Sequence, residues 1–209
     1  SSRGEAAFPI LRFAALVETG THLMFAAAMD RYSTGESTIA ARLLPRIERG
    51  MLLLVDRLYG SYAFLHQAAT TGAHLLARTR NNALLPVETV LADGSYLSHL
   101  YASSKARRHQ LGGLAVRVIE YRVQPSGETF RLLTTLLDPN FAPAAQLAAL
   151  YPQRWEHEGV YDELKTHLRG GAHVVLRSKT AELVRQEFFG LMLAHHAVHA
   201  VDTRLHLSE

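Results

Sequence analysis

The chain has 209 residues, with 22 Lys and Arg against 19 Asp and Glu, a formal net charge of +3 and no Cys. That length buries one good core, or one core with an inserted module, and the lack of Cys excludes disulfides and thiolate metal sites. No stretch approaches the roughly 20 uninterrupted apolar residues of a membrane helix, the N-terminus lacks the order of a signal peptide, and a cytoplasmic protein is expected.

Residues 1–9 read as irregular. Residues 10–17 and 22–29 read as two strands joined at Thr19-Gly20. Ile39, Leu43, Leu44 and Ile47 recur at helical spacing, which predicts a helix over 36–47 closed by Gly50. The apolar run 51–55 predicts a strand buried on both faces, with Asp56 at its C-terminal end. A helix over 62–71 and a strand over 73–79 follow. Helix, strand, helix, strand is an α/β pattern with a largely parallel sheet.

Composition then changes. Residues 81–143 hold no convincing helix. Strands are expected over 87–91, 96–101, 114–123 and 130–137, with turn chemistry at Asp93-Gly94 and Ser126-Gly127. The helical pattern returns at Ala144 after Pro143, running past residue 151 to Gly170-Gly171. Thr180 is placed to cap a last helix that reaches about Arg204.

That second helical stretch carries Tyr151-Pro152-Gln153-Arg154-Trp155-Glu156-His157-Glu158, and later Lys165. On an α-helix, Tyr151, Arg154, Glu158 and Lys165 share one arc about 60° wide. A carboxylate among cations on one face suits a metal-assisted phosphodiester site, where the acid holds a divalent ion and the cations hold phosphate.

The spacing Tyr, two residues, Arg, three residues, Glu, six residues, Lys resembles the YREK signature of bacterial insertion-sequence transposases of the DDE type. Further segments resemble that family: Val55-Asp56-Arg57 after its apolar run, Leu85-Pro86, residues 93–98 (Asp-Gly-Ser-Tyr-Leu-Ser), 133–138 and 176–180. The resemblance covers nearly the whole chain. It implies a ribonuclease H-like α/β core in 1–80 and 144–209, with a β-rich insertion over 81–143. It implies a transposase that binds DNA, hydrolyses phosphodiesters and transfers strands with Mg²⁺ or Mn²⁺. Asp56 and Glu158 would be catalytic acids and metal ligands. Tyr151, Arg154, Lys165, Arg177 and Lys179 would contact DNA. One departure is Leu58, where the family commonly has a small residue.

Blander roles stand beside these. Glu158 alone would be a helix glutamate paired with Arg154, and Asp56 alone a turn aspartate capping backbone donors. Arg107-Arg108 reads as solvated surface. Trp155 reads as core packing, and His195, His196 and His199 as helix-face or core histidines. The family's chemistry uses three carboxylates and two metal ions. The first acid, in an Asp-Gly-Thr-like context, does not occur in residues 1–29. The sequence therefore predicts a truncated core, weak metal binding, and a fragment that neither nicks nor joins DNA alone. The rival reading is a non-catalytic DNA-binding remnant that associates with itself or with full-length transposase; a related nuclease is a third.

Overall fold

The computed structural model describes residues 11–80, 82–123, 128–155, 178 and 180–206. The chain divides into two compact units, Ser33–Arg154 and Ser1–Tyr32 with Trp155–Glu209.

In the second of these units, β1 (Leu11–Val17) and β2 (Met24–Arg31) pair antiparallel, from Leu11↔Arg31 to Val17↔Met24. The chain reverses at Gly20, whose φ of +90° suits a residue without Cβ. The unit also holds the long helix Ala181–His206. Thr180 caps it, its hydroxyl accepting from the Leu183 N–H at 3.3 Å. Phe188, Met192 and His195 fall on one stripe of that helix and are buried. Phe188 and Met192 join Met24 and Met29 in an apolar cluster. His196, one residue round the helix, is exposed. Among the described residues, no helix is long and apolar enough to cross a membrane.

The unit Ser33–Arg154 is built on one six-stranded sheet. Its strands are β3 (Leu52–Val55), β4 (His74–Arg78), β5 (Thr89–Val90), β6 (Tyr96–Leu100), β7 (Leu114–Val123) and β8 (Glu128–Thr134). Their order is β3-β4-β8-β7-β6-β5. Among the described residues the α-helices, in chain order, are α1 (Glu36–Ala41), α2 (Tyr62–Ala69), α3 (Ser104–Arg108), α4 (Ala144–Leu150) and α5 (Ala181–His206). Helix α2 links β3 to β4 as a crossover, and these two strands are parallel. Leu76 of β4, Ile119 of β7, Leu132 of β8, and Leu147 and Tyr151 at α4 form the apolar core.

The α/β class is as expected, with five differences in detail. The sheet is mixed rather than largely parallel: β3–β4 is its parallel pair, and β4–β8, β8–β7, β7–β6 and β6–β5 are antiparallel. Short reversals such as Asp93-Gly94, with Gly94 at φ +81°, join neighbours without a crossover. The strands of 81–143 continue the sheet of β3 and β4 through the β4–β8 pairing. Among the described residues β3 is the last strand of the sheet, and of its four residues only Val55 is buried. The helix expected to reach Ile47 stops at Ala41, and Leu44–Arg46 forms a 3₁₀ turn around Pro45, which has no N–H to give an α-helix. Helix α3 arises where none was expected. Ser103 caps it by accepting from Ala106 N at 3.1 Å.

Candidate active site

Strand β3 delivers Asp56 to the C-terminal end of a parallel pair, the place where α/β sheets present ligand-binding groups. The Asp56 carboxylate divides its two oxygens. Oδ1 accepts from the Leu58 N–H at 3.3 Å and caps the 3₁₀ turn Arg57–Tyr59. Oδ2 lies 2.7 Å from Nη1 of Arg154. The Asp56 side chain is 40% exposed and that of Arg154 10%.

Arg154 arrives there because of proline. Helix α4 ends at Leu150, and residues Tyr151–Trp155 form a 3₁₀ helix. An α-helix through Pro152 would lack a donor toward residue 148 and set the ring against that carbonyl. In a 3₁₀ helix, residues three apart eclipse, so Tyr151 and Arg154 share one side. Both reach the end of β3. Tyr151 is 3% exposed, and its hydroxyl donates to the carbonyl of Val55 at 3.2 Å. Burial raises the pKa of that phenol, with the Arg154 cation opposing, so it stays a proton donor. The Arg154 guanidinium lies 5.7 Å from the Tyr151 ring centroid.

This bond gives a modest prediction. Tyr151→Phe keeps the ring and deletes the donor, leaving the Val55 carbonyl short of a partner. We expect a loss of about 1 kcal/mol in unfolding free energy, seen as a lower urea midpoint at unchanged m-value. An unchanged midpoint would mean that the hydroxyl does not hold Val55 in solution.

Glu158, Lys165, Arg177 and Lys179 lie outside the described residues. Next to the last two, the Ser178 N–H donates to Glu187 Oε2 at 3.0 Å. Trp155 is exposed rather than packed in a core.

Sequence reasoning missed a second polar centre in the same unit. Arg117 of β7 is 0% exposed, between the buried Val116 and Val118. Its Nη2 donates to Asp93 Oδ2 at 2.9 Å, its Nε to Ser95 Oγ at 2.8 Å and its Nη1 to the Leu136 carbonyl at 3.3 Å. Asp93 Oδ1 takes the Ser95 N–H at 3.2 Å and Oδ2 the Ala144 N–H at 2.9 Å. Desolvation alone would raise the Asp93 pKa. The hydrogen bonds from Ser95 and Ala144, with the Arg117 charge, outweigh it and hold the carboxyl below its usual value. Burial lowers the Arg117 guanidinium from its ordinary value, against the nearby carboxylates of Asp93 and Asp138. The signal available in the sequence was an arginine flanked on both sides by apolar residues, Leu114-Ala115-Val116 before it and Val118-Ile119 after it.

Asp56 has the hard oxygen donors that Mg²⁺ or Mn²⁺ takes, but one of them already faces Arg154. Among the described residues, no group of three acids or histidines could hold a metal ion. Asp56 fits as one ligand and does not make a site by itself.

Residues 1–196 match the family model of the transposase DDE domain. The chain is also 31% identical over 196 residues to the transposase InsG for insertion sequence element IS4 of Escherichia coli (strain K12). That similarity takes in 92% of this chain and 44% of InsG, so the chain spans less than half the length of this curated relative.

Proposed function

This chain belongs to the transposase DDE domain family, and from that premise we propose that it is a DNA-binding part of a transposase, with Asp56 and Glu158 as two of its catalytic carboxylates. The observation that carries the reading is Asp56 at the open end of the β3–β4 pair, met there by Arg154 of the signature segment. On this reading the mixed α/β unit derives from a ribonuclease H-like core, and residues 81–143 are its β-rich insertion. The whole protein's reaction would be metal-dependent hydrolysis and strand transfer at DNA phosphodiesters.

Asp56 and Glu158 would hold a divalent ion, Mg²⁺ or Mn²⁺. When bound, such an ion supplies charge stabilisation at a phosphate. Arg154 can grip a phosphate bidentately, while Lys165 and Lys179 act as point charges and Arg177 as a second fork. Tyr151 serves by fixing Arg154 against β3, since its own hydroxyl is engaged by Val55. Two carboxylates suit one ion. The second ion of a two-metal site needs a further acid, and the Asp-Gly-Thr-like context expected for it does not occur in residues 1–29. The chain by itself is therefore read as binding DNA and one ion, weakly, without cutting. A cytoplasmic setting, and association with itself or with full-length transposase, go with this reading.

A second reading, a non-catalytic DNA-binding remnant, draws support from the same ion pair. An acid neutralised by Arg154 and capping a turn has a complete structural role.

DNA binding tests both against a bare relic. Duplex binding, followed by fluorescence anisotropy, should weaken steeply as salt rises. Replacing Lys165, Arg177 or Lys179 by Ala should each lower the slope of log K against log[salt] by about 1. Absence of binding at low salt contradicts both readings. Nicking in Mn²⁺ that disappears in Glu158→Ala would place cleavage in this chain, removing the remnant reading and overturning the expectation that the chain alone does not cut.

A further inference from the structure

A buried charge network with no part in the proposed chemistry sits at the start of the helix that delivers Arg154. We infer that Asp93 and Arg117 are positioning residues: by holding the first N–H of α4, they set where Arg154 meets Asp56. The positioning stands on contacts alone; its functional weight rests on the reading of Asp56 as an ion-binding acid.

The chain of contacts is short. The turn between β5 and β6 presents Asp93, and Arg117 of β7 locks it from inside the sheet. Asp93 Oδ2 then accepts from Ala144 N at 2.9 Å. Ala144 is the first residue of α4, where backbone donors have no partner within the helix. Pro143, just before it, has no side-chain cap to offer. Asp93 thus does, from 51 positions away in sequence, what an N-cap residue does locally.

Helix α4 transmits that fixed start. Ala144, Leu147 and Tyr151 lie on one face and pack into the same apolar cluster. At about 1.5 Å per residue, the start and the end of the helix lie roughly 10 Å apart. So short a helix, packed along its length, passes a displacement of its first turn to its last. The last turn delivers Tyr151 to the Val55 carbonyl and Arg154 to the Asp56 carboxylate. The strands of 81–143 thereby reach the candidate active site through this hydrogen bond as well as through the apolar cluster that Ile119 and Leu132 share with Leu147 and Tyr151.

Two variants separate positioning from bulk stability. Ala144→Pro deletes the donor at a backbone position that accommodates proline, while adding ring atoms at a buried site whose cost the sheet control reads, and Asp93→Asn removes the charge. The readout is NMR hydrogen exchange of the Arg154 guanidinium, assigned by its loss in Arg154→Lys. Exchange of the Val118 amide in β7 serves as the control for an intact sheet. We expect Arg154 exchange to speed up roughly tenfold or more in Ala144→Pro, with Val118 little changed. Asp93→Asn, which keeps an acceptor oxygen, should give a smaller change of the same sign. Unchanged Arg154 exchange in Ala144→Pro overturns the inference, as does a speed-up matched by Val118. None of these outcomes depends on ion or DNA binding, so they leave the transposase reading to its own tests.

Discussion

Replacing Arg117 by methionine is expected to lower the unfolding free energy by about 3 kcal/mol, the lower end of the cost of breaking a buried ion pair from one side. Arg117 is fully buried while the Asp93 side chain keeps 23% exposure, so water softens the loss. Methionine fills much of the space, and what remains is a carboxylate without its cation and a Ser95 hydroxyl and Leu136 carbonyl without their donor. Arg117→Met combined with Asp93→Asn should cost less than the sum of the two single changes, because the second removes the orphaned charge. A pH dependence follows. Asp93 titrates below its ordinary value of 3.8 in the folded state. The unfolded chain therefore binds the proton first on acidification, and the stability this group supplies is complete above that ordinary value. It is lost as pH falls through the lower folded value. Urea unfolding of wild type and Asp93→Asn should thus converge at acid pH. A gap that persists below the carboxylate range would assign the loss to packing instead of charge.

Leu76→Ala should be comparably severe, at about 2–5 kcal/mol. Leu76 is wholly buried in β4, registered against Leu54 of β3 on one side and Thr134 of β8 on the other. Its side chain joins the cluster of Ile119, Leu132, Leu147 and Tyr151. Strands on both flanks hold the backbone, so the cavity can close little, which puts the expectation toward the upper half of that range. The same void lies in the cluster that seats Tyr151, so Leu76→Ala and Tyr151→Phe should be non-additive. Additive losses would mean that the cluster relaxes independently at the two positions.

Much of this was legible beforehand, for identifiable reasons. Strong local patterns carried through: the apolar run before Asp56, the strand expected over 114–123 that became β7, and the cap at Thr180. What failed needed information about neighbours. Whether β3 is central or at an edge depends on which strands flank it, and four apolar residues look alike in either place. The route of 151–155 turned on Pro152, whose effect on the helix outweighed the periodicity around it. Asp93 and Arg117 are 24 positions apart, so their pairing is written in the sheet and in no local spacing. In the site itself, Asp56 stood where expected, and its partner Arg154 was read as a phosphate contact and as a partner of Glu158. A spacing along the chain groups Tyr151 with Arg154; it does not say that one meets the Val55 carbonyl and the other the Asp56 carboxylate.

The central claim is that Asp56 and Glu158 act as ligands of one divalent ion. Titration of the chain with Mn²⁺, counting free ion by electron paramagnetic resonance, tests it most directly. Weak binding of about one ion per chain is expected, as two carboxylates allow, lost in Asp56→Ala and equally in Glu158→Ala. Mn²⁺ binding that survives removal of either carboxylate, or a wild-type chain that takes up none, would contradict it.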